Sequence, residues 1–265
     1  MKIKFHKYQG TGNDFIMVNG FEQSIDLSSH QIANLCSRRF GIGADGLIIL
    51  KKEKDLDFYM DYYNSDGKPS SMCGNGGRCA VKFAYSTGVL KKNNCTFNAI
   101  DGKHEATILE DDIVSLKMIE PYGLDVSNDK VIVNTGSPHV VFFKEEDFNL
   151  AEMDLQKEGS SIRNSPMFIK NGINVNFTKR DKDLIYLRTY ERGVEAETLS
   201  CGTGNVATAI AHAINENAAG VVTYNLKNKG GDLNVRFSIN EHNIKDVWLT
   251  GQAVMVFKGE INIVN

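Results

Sequence analysis

The segment Cys73-Gly74-Asn75-Gly76 recurs further along the chain as Cys201-Gly202-Thr203-Gly204. Apolar side chains at helical spacing follow each copy, namely Cys79, Ala80, Phe83 and Ala84 after the first and Val206, Ala207, Ile210, Ala211 and Ile214 after the second. This spacing predicts one buried face of an amphipathic helix in both places. Since the two cysteines lie roughly half a chain apart, the sequence predicts two related halves, each built around such a helix.

A Cys-Gly-x-Gly segment at the start of a helix has a definite chemistry. The first backbone N–H groups of a helix have no acceptor within the helix, and the helix dipole makes that end positive. Glycine lets a ligand approach this backbone closely, so the segment predicts a site for a carboxylate or a phosphate. The same field favours a thiolate and is expected to lower the cysteine pKa from its free value of about 8.5.

Two such sites predict acid–base chemistry on two faces of one carbon. Inverting a carbon that bears hydrogen requires one group to remove the proton and another to deliver a proton to the opposite face. Cys73 and Cys201 are the candidates for this pair. Cys36, Cys79 and Cys95 are assigned to packing, because free cysteine is among the most buried residue types. No metal site is predicted, since the sequence has neither a Cys-x₂-Cys pair nor paired histidines.

The composition is that of an ordinary globular protein. Hydrophobic residues make up 42% and charged residues 24% of the chain, which excludes disordered and coiled-coil proteins. A net charge of −3 argues against partners such as nucleic acid or an anionic membrane surface. The longest apolar runs, Leu47–Leu50 and Val140–Phe143, are far shorter than the ~20 residues of a membrane helix.

The expected location is the cytoplasm. The N-terminal residues lack the apolar region of a secretory signal peptide. The five cysteines are an odd number without the spacing of a disulfide framework, which is typical of reduced thiols inside the cell. We therefore expect a soluble, intracellular protein.

Strand signals run through both halves and indicate an α+β (mixed α/β) fold. Strands are predicted in the first half at residues 3–9, 15–18, 47–51, 57–63, 95–100, 105–109 and 113–119. In the second half they are predicted at residues 131–134, 139–143, 173–179, 184–190, 221–226, 233–239, 247–249 and 253–257. A further helix is predicted from a Ser28-Ser29 cap to Cys36, with Gly41 just past its end.

Turn residues predict how these elements connect. Asp101-Gly102 and Asp111-Asp112 are typical of the tight turns of a meander. The predicted domain boundary is Pro121-Tyr122-Gly123 with the polar stretch that follows it to Lys130. This gives an N-terminal domain, residues 1–120, that carries Cys73, and a C-terminal domain, residues 121–251, that carries Cys201.

One glycine-rich motif does not predict a nucleotide site. The segment from Gly41 to Gly46, GIGADG, matches the G-x-G-x-x-G pattern of dinucleotide-binding proteins. That pattern must follow a strand and open a helix. Here the order is reversed, because the motif follows the predicted helix and precedes the apolar run Leu47–Leu50. We expect a tight connection into a strand.

Several short blocks together resemble the diaminopimelate epimerase family. The blocks are Gly10-Thr11-Gly12-Asn13-Asp14-Phe15, Gly41-Ile42-Gly43-Ala44-Asp45-Gly46, Tyr63-Asn64-Ser65-Asp66-Gly67 ahead of Met72-Cys73-Gly74-Asn75-Gly76, Gly136-Ser137-Pro138-His139, Asn174-Val175-Asn176-Phe177, and Tyr190-Glu191-Arg192-Gly193 ahead of Ser200-Cys201-Gly202-Thr203-Gly204. They fall in family order from residue 8 to about residue 212, so the resemblance covers most of the chain.

The resemblance implies a fold and an activity. The fold would be two pseudo-symmetric domains, each a mixed sheet wrapped around a central helix, with the active site in the cleft between them. The tail, residues 252–265, would return to the first domain. The activity would be the cofactor-independent conversion of LL-2,6-diaminopimelate to the meso isomer, in lysine and peptidoglycan-precursor synthesis. Members of this family are usually homodimers.

The resemblance also implies roles for individual residues. Cys73 and Cys201 would be the acid/base cysteines. The reacting α-carboxylate would be held by Gly74, Asn75, Gly202 and Thr203. The rest of the substrate would be bound by Asn13, Asn64, Asn174, Glu191 and Arg192, with Arg192 matching a carboxylate and Glu191 an ammonium. His139 and Ser137 would support the site.

Two departures from the family pattern concern the distal end of the substrate. Many members carry Gln where this chain has Gly46, and Asn where it has Ser137. Three other functions stay open: a proline or hydroxyproline racemase or epimerase of the same superfamily, a non-catalytic amino-acid-binding protein, and a phenazine-type isomerase. The last is disfavoured because that branch does not retain both cysteines.

Overall fold

Strands dominate the structure, a computed structural model that describes residues 2–110, 112–127 and 129–263. In chain order the elements are β1 Lys2–Gly10, β2 Asn13–Asn19, α1 Ser29–Cys36, β3 Gly46–Lys51, β4 Phe58–Asn64, α2 Gly74–Ser86, β5 Asn94–Ala99, β6 Gly102–Glu110, β7 Ile113–Lys117, β8 Tyr122–Val126, β9 Lys130–Asn134, β10 Pro138–Phe143, α3 Leu155–Arg163, β11 Asn174–Asp181, β12 Leu184–Glu191, β13 Ala196–Thr198, α4 Gly202–Asn215, β14 Gly220–Asn228, β15 Gly231–Asn240, β16 Asn243–Gln252 and β17 Val254–Asn262. Each predicted strand overlaps an observed one.

The chain divides into two compact units. Unit 1 comprises Met1–Leu116 and Gly251–Asn265, and unit 2 comprises Lys117–Thr250. In unit 1, β1 pairs antiparallel with β2 and with β17, so the C-terminal strand completes the N-terminal unit. The sheet continues with β3 parallel to β2, β4 antiparallel to β3, and β5 parallel to β4. Helix α2 packs against β1, β2, β3, β6 and β17.

Unit 2 repeats this order of pairings. Strand β10 pairs antiparallel with β9 and parallel with β11, which is followed by β12 antiparallel and β14 parallel. Helix α4 packs against β9, β10, β11, β12, β14 and β15. The predicted fold class, a mixed α/β fold of two pseudo-symmetric domains each with a central helix, is therefore confirmed.

The strand register defines which positions of the two units correspond. Phe15 pairs with Gly46 at the start of β3, as His139 pairs with Asn174 at the start of β11. Two residues further along, Ile48 pairs with Tyr62, as Asn176 pairs with Thr189. Phe15, Ile48 and Tyr62 in unit 1 thus occupy the places of His139, Asn176 and Thr189 in unit 2.

The central helices are more deeply buried than their apolar pattern predicts. That pattern predicts one buried face, and this was wrong: α4 is buried continuously from Gly204 to Ala213, and α2 from Gly74 to Val81. The physical reason is that strands surround each helix, so every side of it faces protein. Glycine and alanine are frequent in both helices because only small side chains fit between so many neighbouring strands.

The remaining helices show what local signals capture. Ser28 caps α1 as predicted and forms a capping box with Gln31. The position of Gly41 was wrong, because α1 ends at Cys36. Gly41 instead passes so close to this helix that a Cβ there would lie 2.1 Å from the carbonyl oxygen of Asn34. Helix α3 has no counterpart among the predictions, since it is short and buries only Leu155 and Gly159.

The stretch predicted to join the two domains is itself structured. Residues Tyr122–Val126 form β8, which pairs antiparallel with β9, whereas the two units divide between Leu116 and Lys117. Strand β8 is largely exposed and lies between Pro121 and a polar stretch, so its sequence resembles a connection. Gly102 lies in the left-handed region with φ +113° and joins β5 to β6. Of the second predicted turn, Asp111 lies outside the described residues.

Within the described ranges, no helix has the length and apolar character needed to cross a membrane.

Candidate active site

The first half-site, built around Cys73, lies where α2 begins. Cys73 is the N-cap of this helix, so Gly74 and Asn75 present the first backbone N–H groups. The Cys73 thiol lies 3.6 Å from Oδ1 of Asn13, to which it donates. Asn13 begins β2, and the pairing of β2 with β1 and β3 fixes its backbone.

Charged side chains fix the amides of this half-site. Nδ2 of Asn13 donates to a carboxylate oxygen of Asp45 at 2.6 Å, which leaves Oδ1 of Asn13 facing Cys73 and Nδ2 of Asn75. Oδ1 of Asn75 accepts from the Arg78 guanidinium at 3.0 Å. Because a carboxylate only accepts and a guanidinium only donates, neither amide is free to turn over.

Arg78 belongs to α2 and follows Gly74 by about one helical turn. Its side chain is fully buried, and it donates to the carbonyl of Gly74 and to the hydroxyl of Thr11, both at 3.3 Å. Burial lowers the pKa of Arg78, while the thiols of Cys79 and Cys73 act in the opposite direction. A buried guanidinium close to Cys73 adds to the positive field of the helix end.

The glycine-rich loop that resembles a nucleotide motif contributes to this half-site. It follows α1 and enters β3, as predicted, and it carries Asp45. Arg38 bridges Asp45 and Asp14 at 2.8 and 2.7 Å, and Lys7 contacts Asp14 at 2.8 Å. Burial opposes ionisation of Asp14, but the hydrogen bonds from Arg38 and Lys7 outweigh it and lower its pKa to about 2. The loop is therefore held by ion pairs.

Asn64 and Gly46 lie opposite each other at the ends of β4 and β3. The side chain of Asn64 is exposed, and its backbone closes the turn to Gly67. A Cβ on Gly46 would lie 2.6 Å from the ring of Tyr62, so this ring occupies the space that a side chain at position 46 would need. The absence of a side chain at Gly46, a departure from the family pattern, thus coincides with the position of the Tyr62 ring.

The second half-site, built around Cys201, lies where α4 begins. Cys201 is the N-cap of α4 and is buried. Its sulfur lies 3.4 Å from the hydroxyl of Thr203, and that hydroxyl lies 2.9 Å from Nε2 of His139. The carbonyl of Thr203 accepts from Thr135 at 2.8 Å, which anchors the first turn of the helix to the sheet.

His139 is a completely buried histidine. Burial, with a smaller effect from the charge of Arg192, lowers its pKa to about 3, although a hydrogen bond with Asn176 acts in the opposite direction. The imidazole is consequently neutral at pH 7, with one ring nitrogen as donor and the other as acceptor. Its Nδ1 lies 3.0 Å from Nδ2 of Asn176.

Three further candidates lie together beside His139. Nδ2 of Asn174 donates to the hydroxyl of Ser137 at 2.8 Å, and Oδ1 of Asn174 accepts from the backbone of Arg192 at 2.8 Å. The Arg192 guanidinium is exposed and donates to the carbonyl of Asn171 at 3.0 Å. Glu191, at the end of β12, is half-buried. The structure therefore brings Ser137, Asn174 and Arg192 into one cluster.

The other three cysteines are buried in the cores. Burial raises the pKa of Cys36 and that of Cys79 to about 12, and it also raises the pKa of Cys95. At neutral pH these side chains are protonated thiols and poor nucleophiles.

Four polar residues of the two half-sites were not among the predictions: Asp45, Arg78, Asn176 and Thr189. A signal existed for Asn176, because asparagine is disfavoured in strands and the reasoning that singled out Asn174 applies to it equally. Arg78 likewise interrupts a helix of small and apolar residues. Asp45 and Thr189 gave no signal, since both residue types are ordinary in a loop and a strand.

Comparison with known proteins adds family relationships. The diaminopimelate epimerase family model matches residues 5–122 and 131–256. A diaminopimelate epimerase from Flavobacterium psychrophilum is 47% identical over 262 residues, covering 98% of this chain and all of the relative. One from Chlorobaculum tepidum is 38% identical over 262 residues, covering 96% of this chain and 99% of the relative.

Solved structures share the fold at low sequence identity. A phenazine biosynthesis protein of the PhzF family from Bacillus anthracis superposes with a TM-score of 0.78 at 15% identity, covering 99% of this chain and all of the other. A probable proline racemase from Agrobacterium radiobacter K84 has a TM-score of 0.70 at 14% identity, covering 99% of this chain and 93% of the other. At such identities the likeness shows the fold alone.

Proposed function

We propose that this chain, which belongs to the diaminopimelate epimerase family, converts LL-2,6-diaminopimelate to the meso isomer. The proposed reaction uses no cofactor and serves lysine and peptidoglycan-precursor synthesis. The observation that carries the proposal is the repeated helix start: Cys73 and Cys201 are the N-caps of the two central helices, each followed by a glycine. A two-base inversion requires two acid–base groups, and a thiol at each of the two helix starts provides them.

In the proposed mechanism the two cysteines transfer protons on opposite faces of one α-carbon. One cysteine, as a thiolate, accepts the α-proton and becomes a thiol, and the C–H electron pair stays on the carbon as a carbanion. The other cysteine, as a thiol, delivers its proton to the opposite face and becomes a thiolate. Exchange of protons with solvent then restores the starting state of both sulfurs.

The backbone at the helix starts is suited to stabilise the carbanion. The N–H groups of Gly74, Asn75, Gly202 and Thr203 belong to the first turns of α2 and α4, where they lack acceptors within the helix. We propose that they hold the α-carboxylate and take up the charge that spreads onto it as the proton leaves. Gly74, Asn75 and Gly202 are buried, which strengthens that electrostatic effect because water screens it little.

The distal end of the substrate is assigned to polar side chains at strand ends. Asn64 and Arg192 are exposed, and Asn174 lies beside Ser137. We propose that Arg192 binds the distal carboxylate and that Glu191 binds the distal ammonium. Because Tyr62 fills the space beside Gly46, we expect this end to be bound without a side chain from position 46.

The experiment that tests the function is proton NMR of LL-diaminopimelate in D₂O with purified, reduced protein and no added cofactor. We expect the α-proton signal to disappear as meso product forms. L-Proline and trans-4-hydroxy-L-proline are the control substrates, and neither should exchange its α-proton. Exchange with proline but not with diaminopimelate would overturn the substrate assignment, and binding without any exchange would indicate an amino-acid-binding protein.

We further propose that the protein is cytoplasmic and homodimeric. Five free cysteines suit a reducing compartment. The family resemblance supports the dimer, and light scattering coupled to size-exclusion chromatography should give twice the 29.4 kDa chain mass. A monomeric mass at micromolar concentration would contradict the dimer.

A further inference from the structure

The two units differ at the sheet surface that faces the first turn of each central helix. In unit 1, a Cβ on Gly76 would meet the apolar side chains of Ile48, Phe15 and Met60 at 3.2 to 3.4 Å. At the corresponding Gly204 of unit 2, a Cβ would lie 2.8 Å from the amide oxygen of Asn176 and 3.3 Å from the hydroxyl of Thr189. Since unit 1 fills this place with apolar groups, the fold itself does not require the polar groups of unit 2.

One hydrogen bond to the backbone and one to a side chain fix the orientation of the Asn176 amide. Its Nδ2 donates to the carbonyl of Val140 at 3.1 Å, and its Oδ1 accepts from the hydroxyl of Thr189 at 2.9 Å. Turning the amide over would place its oxygen against the Val140 carbonyl, which has no proton to share. The nitrogen of Asn176 therefore faces His139.

This orientation determines the tautomer of His139. Nδ1 of His139 lies 3.0 Å from the donor nitrogen of Asn176, so Nδ1 is the acceptor and the ring proton resides on Nε2. Nε2 lies 2.9 Å from the Thr203 hydroxyl and donates to it. The other neighbour of Nε2, the amide nitrogen of Asn174 at 3.4 Å, directs its hydrogens to Ser137 and Pro138 at 2.8 and 3.0 Å.

The direction of the last hydrogen bond follows. Because the Thr203 oxygen accepts from His139, the Thr203 hydroxyl proton is available to the Cys201 sulfur at 3.4 Å. We propose that Asn176 and Thr189 are positioning residues that set the direction of a chain of hydrogen bonds leading to Cys201. Through this chain the Thr203 hydroxyl donates to the Cys201 sulfur and stabilises its thiolate. The chain runs from Thr189 through Asn176, His139 and Thr203 to the sulfur.

This inference rests on the proposed function, because it assigns Cys201 as the base of the resting enzyme. It does not extend to which stereoisomer Cys201 deprotonates. Arg192 is the charged group that acts on His139, and its positive charge also favours the neutral imidazole. A neutral imidazole with its proton on Nε2 is the form that this chain of hydrogen bonds requires.

The tautomer is tested directly by long-range ¹H–¹⁵N correlation spectra of ¹⁵N-labelled protein. The chain has six histidines, and the spectrum of His139→Gln identifies the signals of His139 by their absence. We expect the pattern of a neutral ring protonated on Nε2 at pH 7. A ring protonated on Nδ1, or an imidazolium, would overturn the proposal, and this measurement requires neither substrate nor a change at Asn176.

The effect on the sulfur is tested by alkylation in a Cys73→Ser background. Iodoacetamide modification of Cys201 at pH 7 is followed by mass spectrometry of its peptide. Thr189→Val removes the hydrogen bond to Oδ1 of Asn176, so that only the Val140 carbonyl still orients the amide. This should slow the modification of Cys201 about 3- to 10-fold, which corresponds to the loss of one hydrogen bond. Equal rates in Thr189→Val and the parent would contradict the proposal.

Thr178→Val is the matched control for Thr189→Val. Thr178 is equally buried in β11, and its hydroxyl contacts a second buried histidine, His212, at 3.1 Å. His212 lies near the opposite end of α4 from Cys201. Thr178→Val should therefore reduce stability about as much as Thr189→Val while the alkylation rate of Cys201 changes less than about twofold. Equal slowing by both substitutions would indicate a merely structural role.

Asn176→Asp is expected to reverse the direction of these hydrogen bonds. A carboxylate in place of the Asn176 amide loses the bond to the Val140 carbonyl and accepts a hydrogen bond from Nδ1–H of His139. Nε2 then accepts from the Thr203 hydroxyl, which no longer points to the sulfur. We expect the NMR pattern of His139 to change and kcat to fall with little change in KM in the Cys73-containing enzyme. If alkylation slows and the tautomer changes but diaminopimelate is not epimerised by the parent, the proposed function fails while the positioning role stands.

Discussion

In both half-sites a cysteine caps the start of a helix, but different side chains orient the polar groups around it. Around Cys73, the polar groups are oriented by ions: Asp45 holds Asn13, and Arg78 holds Asn75. Around Cys201, the chain of Thr189, Asn176, His139 and Thr203 contains no charged member at pH 7. The two units therefore share the backbone geometry of the cysteine and the following glycine, while the side chains that contact this backbone differ.

The difference assigns different electrostatic surroundings to two similar thiols. At Cys73 the neighbouring amide oxygen of Asn13 accepts, which favours the protonated sulfur, while the Arg78 charge favours the thiolate. At Cys201 the neighbouring hydroxyl donates and favours the thiolate. A pair of bases that must hold one proton between them benefits from such asymmetry, because two identical sites would share the proton equally.

The largest effect is expected from removing either sulfur. Cys73→Ala and Cys201→Ala should each reduce epimerisation of LL-diaminopimelate by at least ~10³-fold, since acid–base groups contribute about 10²- to 10⁴-fold. Product formation is followed by NMR in D₂O. Cys95→Ala is the control, a buried cysteine that should lower stability and leave the turnover number unchanged. Full activity in either of the first two variants would show that the two-thiol mechanism is wrong.

The second largest effect is expected from removing one of the charged side chains that orient the amides of unit 1. Asp45→Ala removes the carboxylate that orients Asn13, so the amide near Cys73 can turn over. We expect kcat/KM to fall roughly 10- to 100-fold, the range for a hydrogen bond to a charged group. Asp66→Ala, an exposed carboxylate of the same unit, should change kcat/KM less than about twofold. Equal values for both variants would show that Asp45 does not orient the site.

The units should also differ in acid sensitivity. In unit 2, burial lowers the pKa of His139 to about 3 and that of His212 to about 4. In the unfolded chain these histidines have their ordinary pKa of about 6.5, so they take up protons at a higher pH than in the folded unit. Stability that these residues confer is complete above about pH 6.5 and is lost as the pH falls towards 4 and 3. In unit 1, the contribution of Asp14 is complete above about pH 4 and is lost only towards pH 2.

Hydrogen exchange between pH 7 and pH 4 measures this order. Peptides of unit 2 should lose protection before peptides of unit 1. His6 in unit 1 shifts in the same direction as the unit 2 histidines, but it is only half-buried and its contribution is smaller. Simultaneous loss in both units, after correction for the intrinsic exchange rate, would contradict the difference between them.

The smallest effect concerns the position where unit 1 lacks a side chain that unit 2 has. Gly46 corresponds to Asn174, and a Cβ there would meet the Tyr62 ring and the Tyr63 carbonyl at 2.6 Å. Gly46→Ala should lower the free energy of unfolding by about 1–3 kcal/mol, as overpacking does. Combining it with Tyr62→Ala should recover part of this loss in urea unfolding, because the backbone carbonyl remains. No loss in the single variant would show that Tyr62 moves aside freely.

Helix caps and strands were predictable because their signals are local. Ser28 begins α1 through its own side chain and that of Gln31, and the apolar spacing after Cys73 and Cys201 requires only the chain itself. The same locality explains the failures. Helix α3 and strand β8 are largely exposed, so neither has the buried apolar face by which a sequence indicates a helix or a strand.

The amino-acid sequence was enough to predict the two helix starts, their cysteines and glycines, and the family resemblance. These features depend on residue type and spacing, which are fixed along the chain. What surrounds each cysteine is visible only in the folded structure, because Asp45 in one unit, and Asn176 and Thr189 in the other, lie outside the helices that the cysteines cap. Their hydrogen bonds depend on strand register, and a shift of one residue would turn Asn176 to the other face of the sheet.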